Sequence, residues 1–419
     1  MPGLRSGLVE DASRPKKGRV QRVIGTVIHA SVVEARIGEI CELVDRRTGR
    51  TMKAEVVGLL EEAAILVPLG DLAGLSGLTE VVPTRRDQQV PVGPGLLGRV
   101  INAFGEPLDG SRFRWTAPRA DIGADPARHP CHRWHVDVCK GATHRHFRRT
   151  RRRQSILLSN IVSATDADVA VVALVGERGR EVREFVERQL GAEGFARAVV
   201  VVATSDRPAI ERVKAAYVAT TIAEYFRDQG KHVLLAMDNI TRFARAQREI
   251  GLASGEPPTR RGFPSSLFAA LPRLLERSGP GQIGSITGLY SVLLEGDGTF
   301  DPVAEEVQAL LDGHIFLSSE LAQRNHFPAV DVLRSRSRLM ETVAPGQHRA
   351  DAARLRQLMA RYADIELLVR VGEYKAGSDA LADEAMSKID AINGFLQQAS
   401  VQNENMEATR QRMREIVGG

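Results

Sequence analysis

Apolar positions along the chain fall into three successive patterns. Over residues 18–83, short runs such as Val27-Ile28 and Ile65-Leu66-Val67 are separated by turn signals, among them Arg46-Arg47-Thr48-Gly49. Short strands with turns at such close spacing predict a small β-barrel. A stretch dense in Gly and Pro, residues 90–110, then marks a domain junction. From Ser155 onward, longer apolar runs at 169–175, 198–203, 232–237 and 283–294 alternate with helical patterns such as 210–229. Buried strands alternating with helices predict an α/β domain, a mostly parallel sheet covered on both faces. From about Arg349 the strands stop. Leu355, Leu358, Met359 and Tyr362 recur at helical spacing and predict a helical terminal domain. The expected division is a basic, disordered tail over 1–17, a barrel over 18–86, the α/β domain over 87–345 and the helical domain over 346–419.

Composition narrows the class without naming a function. Apolar residues make up 43% of the 419 and charged residues 26%, as expected of a soluble globular chain. The net charge of +5 is spread along the chain and does not single out a nucleic-acid partner. Three cysteines (Cys41, Cys131 and Cys139) give no disulfide framework and suit a reducing cytoplasm. No apolar run approaches the roughly 20 residues of a membrane-spanning helix. The first residues lack an apolar signal core, so any membrane role is expected to be peripheral.

Candidate chemistry sits where strands end. The run 169–175 stops at Gly176-Glu177-Arg178-Gly179-Arg180, and a helical pattern follows with Val182, Phe185 and Val186 on one face. Ligands of open α/β sheets bind at that edge of the strands. The strand 232–237 ends in Asp238, a Walker B pattern, in which a buried strand tip places a carboxylate beside a phosphate-bound Mg²⁺. An Asp there is equally a helix cap when read alone; two acid-tipped strands form a stronger pair. Phe327, before Pro328, offers a stacking face or a core ring. Arg338 offers a guanidinium for developing phosphoryl charge or a surface ion pair.

Six segments, in order, carry a resemblance: GERGREVREF, MDNITRFARAQREI, RRGFPSSLFAALPRLLER, GSITGLYSVLLEGD, LDGHIFLSSELAQRNHFPAVDVLRSRSRLM and GEYKAGSD. Together they resemble the export ATPases of type III secretion systems, which are similar to the flagellar export ATPase and to the catalytic subunit of the rotary ATP synthase. The resemblance covers about residues 20 to 380. It implies an N-terminal β-barrel, a RecA-like nucleotide-binding domain, a helical C-terminal domain and a homohexamer with ATP between subunits. It implies ATP hydrolysis with Mg²⁺, coupled to protein unfolding and export. The implied partners are stalk and stator proteins, secreted effectors and chaperones, at the cytoplasmic side of the inner membrane. By the same resemblance Glu177 activates water with Arg178 beside it, Asp238 is the Walker B acid, Phe327 stacks on adenine and Arg338 is an arginine finger for the neighbour. Ser155 serves the nucleotide and Mg²⁺ through its hydroxyl.

One stretch departs from the family pattern. A P-loop, whose glycines let backbone N–H groups wrap phosphates and whose Lys reaches the β/γ oxygens, belongs about twenty residues before GERGRE. Residues 121–154 read instead DIGADPARHPCHRWHVDVCKGATHRHFRRTRRRQ. They hold five of the ten histidines, two of the three cysteines and one of the two tryptophans, a composition break inside a sheet domain. One reading is a metal or nucleic-acid site, with Cys131, His132, Cys139 and His144 or His146 as Zn²⁺ ligands and Arg148 to Arg153 contacting phosphates, but the spacing fits no compact zinc pattern well. A shifted reading frame fits better. Permitted codons for residues 129–154, read one base later, give I-R-A-I-D-G-M-L-T-C-A-K-G-Q-R-I-G-I-F-A-G-x-G-V-G-K, and Ser155 follows. That is a strand and a Walker A loop, so a frameshift is expected from near 117–121 to Gln154. As written, the chain has no Walker A Gly or Lys there and is expected to fold poorly and hydrolyse little ATP. The rival readings are a proton-driven ATP synthase subunit, an RNA translocase and a catalytically dead ring subunit. A translocase would need base-stacking aromatics in its barrel, and residues 18–83 contain no Phe, Tyr or Trp.

Overall fold

The computed structural model describes residues 17–109 except 33, 62, 71 and 73, then 119–122, 144–146, 151–294, 301–399 and 404–418. Most of the expected tail over 1–17, and most of the expected frame-shifted stretch, lie outside the described residues, as do Cys131, His132 and Cys139.

Six antiparallel strands close into the expected barrel: β1 (Gly18–Ile24), β2 (Val27–Ala30), β3 (Glu39–Val44), β4 (Thr51–Leu59), β5 (Ala64–Pro68) and β6 (Glu80–Asp87), in the order β1-β2-β5-β4-β3-β6. Alternation along each strand sends Ile28, Leu43, Val56, Leu66 and Val81 inward. Val27, Ile65 and Val67 point the other way and join the core of the next domain, so the barrel is packed onto its neighbour. A buried ion pair crosses the same junction. The Lys214 ammonium donates a hydrogen bond to Glu55 Oε1 at 2.7 Å and lies 2.6 Å from Oε2, a contact that is Coulombic only.

Beyond the barrel come β7 (Gln89–Pro91), β8 (Arg99–Asn102), β9 (Arg119–Asp121), β10 (His144–His146), β11 (Val169–Glu177), β12 (Ala198–Thr204), β13 (His232–Asp238), β14 (Gly279–Pro280), β15 (Ser285–Leu293), β16 (Gly313–Leu317) and β17 (Val330–Ser337). β7 and β9 pair with each other. The rest form one nine-stranded sheet along the path β17-β16-β10-β15-β13-β11-β12-β8, with β14 on β15. Every pairing along that path is parallel except β16 with β17.

All nine residues of β11 are buried, as a strand covered on both faces requires. Val171 and Ala173 meet the helices Ala209–Asp228 and Ile240–Ala253 on one side. Val172 and Leu174 meet Leu158 and Val162 of the helix Arg151–Ala164 on the other. The helix expected after Glu177 forms over Gly179–Glu184 and widens to a π turn at Phe185–Gln189. Phe185 is buried, and Val182 and Val186 pack beside it, as the spacing predicted. The chain ends in a helical domain of Gly346–Arg370, Ala380–Leu396 and Met406–Gly418, cored by Leu355, Leu358, Ala385, Ile392 and Met413. Among the described residues no helix is long and apolar enough to cross a membrane.

Candidate active site

The parallel strands bring their carboxyl ends to one edge of the sheet, where crevices for ligands form. Glu177 ends β11 and Asp238 ends the adjacent β13, with Leu174 paired to Asp238 across the ladder. Both carboxylates are buried, at 6% and 3% exposure, and burial of that degree requires hydrogen-bond partners. The Asn239 side-chain amide donates to Glu177 Oε1 at 3.2 Å, so the two acids are linked through adjacent residues. Asn239 also caps the helix Ile240–Ala253, its Oδ1 accepting the Arg242 N–H at 2.9 Å. Ser291, on β15, donates its hydroxyl to Asp238 Oδ1 at 2.6 Å.

The turn between Val175 and Arg178 depends on Gly176. Its φ of +68° suits glycine, and a Cβ there would meet the Arg242 side chain at 3.2 Å. That close approach lets the Arg242 guanidinium donate to the Gly176 carbonyl. Arg178 follows, exposed, and its carbonyl accepts the N–H groups of Glu181 and Val182.

The remaining sequence-derived candidates divide by place. Phe327 is half-buried and lies on the same edge as Glu177 and Asp238, because Ala329 accepts from Ser318 just beyond the end of β16. Its carbonyl accepts the Gln398 N–H at 2.8 Å, which ties the loop to the segment after the helix Ala380–Leu396. The preceding His326 is buried, and burial holds its pKa below the usual histidine value. Ser155 falls in the first turns of the helix that follows β10, and its side chain lies outside the described residues.

Arg338 is elsewhere. It is exposed, and its N–H donates to the Asp312 carbonyl at the start of β16, which is the opposite edge of the sheet. Across the sheet, β17 is four strands from β13, roughly 19 Å at the spacing of paired strands. Arg338 therefore cannot reach Asp238 of its own chain.

Sequence reasoning missed Asn239, Arg242 and Ser291. The first two carried a usable signal, an Asn just before a helical pattern with its partner three residues on. Ser291 carried none, since a lone Ser in an apolar strand reads as filler.

The donor chemistry suits Mg²⁺ held mostly by its nucleotide. Among the described residues no group of three or more His, Cys, Asp or Glu side chains could hold a metal ion. One buried carboxylate at a strand tip fits a cation that takes most of its ligands from phosphate and water.

Three family models match the chain: the β-barrel domain of the ATP synthase alpha/beta family over residues 20–85, its nucleotide-binding domain over 137–337, and the C-terminal domain of the type III secretion ATPase EscN over 344–415. A type 3 secretion system ATPase of Sinorhizobium fredii is 52% identical over 413 residues, 95% of this chain and 91% of that protein. The flagellum-specific ATP synthase of Bacillus subtilis is 44% identical over 403 residues, 93% of this chain and 92% of its own length. The assembled ATPase EscN of enteropathogenic E. coli superposes with a TM-score of 0.87 at 40% identity, covering 96% of this chain and all of that one. EscN in complex with its central stalk EscO superposes at 0.83, with the same identity and coverage. With barrel, parallel-sheet domain and helical domain each matched in order, the chain belongs to the family of type III secretion and flagellar export ATPases.

Proposed function

We propose that this protein hydrolyses ATP to drive unfolding and export of proteins through a type III secretion apparatus. It works as a homohexameric ring around a stalk, with stator proteins, chaperones and secreted effectors as partners, at the cytoplasmic face of the inner membrane. The observation that carries the reading is the pair of buried acids on adjacent strand tips, linked through Asn239. Glu177 accepts a hydrogen bond from the attacking water and orients it toward the γ-phosphate, while Asn239 holds the carboxylate. Arg178, exposed next to it, supplies positive charge to the phosphates. Phe327 stacks on the adenine. Asp238 and the Ser155 hydroxyl would hold Mg²⁺, which when bound neutralises charge on the β- and γ-oxygens. Arg338 acts on the neighbour's site, the role left to it by its distance from its own. The match of residues 344–415 to the C-terminal domain of a secretion ATPase favours export over proton-driven ATP synthesis.

The reading extends to the missing P-loop. β10 occupies the slot between β15 and β16 and precedes the helix Arg151–Ala164, as the strand precedes the helix in a P-loop unit. A strand in that position has neighbours on both sides and belongs among apolar residues, yet it reads His-Arg-His. The next frame writes I-G-I at 144–146 and G-x-G-V-G-K at 149–154. Upstream, β9 pairs with β7, the Ile122 N–H donates to the Gln88 carbonyl, and Ile122 is buried. Those contacts are compatible with a shift that begins near residues 117–121 and runs to Gln154.

Sequencing the DNA across codons 110 to 160 tests the frame, and ATPase assays test the function. The frame-restored protein turns over ATP, its Glu177→Gln variant does not, and the chain as written is close to inactive. Equal rates for the written and restored chains would sink the frameshift reading. If the lesion lies in the gene itself, the product is the catalytically dead ring subunit.

A further inference from the structure

Ser291 stands out in β15 because its neighbours are Leu289, Tyr290, Val292 and Leu293, and because it is only 1% exposed. A hydroxyl buried so deeply is costly unless it is bonded. Its partner is the Asp238 carboxylate, whose Oδ1 accepts the hydroxyl at 2.6 Å.

We infer that Ser291 is a positioning residue for the metal step, holding the Asp238 carboxylate at one rotation so that it presents a fixed ligand direction to Mg²⁺. The inference rests on the proposed role of Asp238. Rotation of an Asp carboxylate about its last bond is broad and weakly restrained on its own. Here the restraint comes from a strand that pairs directly with β13, Met237 opposite Tyr290. A second tie stiffens the same corner. The Thr241 hydroxyl donates to the Leu293 carbonyl at 3.1 Å and accepts the Leu293 N–H at 2.8 Å. The ends of β13 and β15 and the start of the helix Ile240–Ala253 therefore form one unit, and Ser291 is its contact to the acid.

The test uses the full-length, frame-restored protein, a fluorescent ADP analogue and titrated Mg²⁺. Ser291→Ala and Ser291→Val raise the Mg²⁺ needed for half-maximal binding about tenfold, the scale of losing a partner that orients a metal-ligating carboxylate. Ser291→Thr keeps the hydroxyl and the parental requirement. Affinity for the analogue without metal stays within error of the parent in variants that remain folded, while the melting temperature falls by a few degrees, the cost of one lost buried hydrogen bond. Ala and Val variants with the parental Mg²⁺ requirement overturn the inference alone. So does an equal loss of affinity with and without metal, which would mark a merely structural role. A parent that shows no Mg²⁺ dependence overturns the reading of Asp238 and this inference with it.

Discussion

The junction between barrel and sheet domain makes a quantitative prediction through Glu55 and Lys214. Their side chains are 12% and 11% exposed. At 2.6 Å and an effective dielectric of about 20, the gross attraction is about 6 kcal/mol. Dehydrating two ions costs several kcal/mol each, so the intact pair contributes little net stability. Breaking it is another matter, because one buried charge then loses its partner. With about a tenth of each side chain still wet, the expected loss is about 3 kcal/mol for Glu55→Met or Lys214→Met. The double variant Glu55→Met/Lys214→Met has no charge to strand and should lie within about 1 kcal/mol of the parent. Urea unfolding of the frame-restored protein and its three variants, analysed as a double-mutant cycle, measures this. Two single variants within about 0.5 kcal/mol of the parent would refute the reasoning, and so would a double variant worse than either single one.

In the restored frame, Asn239→Ala removes both the helix cap and the donor to Glu177. It should lower kcat by about tenfold to a hundredfold, with a smaller change in KM, in a steady-state assay. Arg338→Ala and Glu177→Gln should each be inactive alone. Mixed one to one before assembly, they should regain activity at about a quarter of the ring interfaces; no recovery would place Arg338 outside the neighbour's site. Burial holds the His326 imidazole below its ordinary value of 6.5, so the unfolded chain takes up this proton first as pH falls. The stability linked to His326 is therefore full above about pH 6.5 and declines below it toward the lower folded value. Replacing it by Gln should shrink the drop in melting temperature between about pH 7.5 and about pH 5.5.

The parts of this molecule legible in its sequence are those set by local periodicity. Strand β11 could be read because Val169 to Val175 form an unbroken apolar run, which its complete burial explains. Glu177 and Asp238 were legible for a related reason, since an acid that ends an apolar strand is conspicuous. Ser291 was not, because its meaning lies in β13, more than fifty residues away. The tie from Phe327 to Gln398 is likewise a contact between domains. The place of β10 could not be read at all from His-Arg-His. Its slot is fixed by β15 and β16, far downstream, not by its own residues.

That slot bears on what becomes of the chain as written. Among the described residues β10 is the one strand on the sheet's path between β15 and β16, and both its pairing partners are synthesised long after it. A newly made chain must hold this segment ready until both neighbours exist. Whenever it stays out, β15 and β16 face each other across a gap, each with a row of open backbone groups. Such edges add strands from other molecules. The barrel and the helical domain, which have described cores of their own, would still form and carry this open sheet with them. Aggregates of the written chain should then contain intact barrels and helical domains, joined through the middle of a sheet that was never closed.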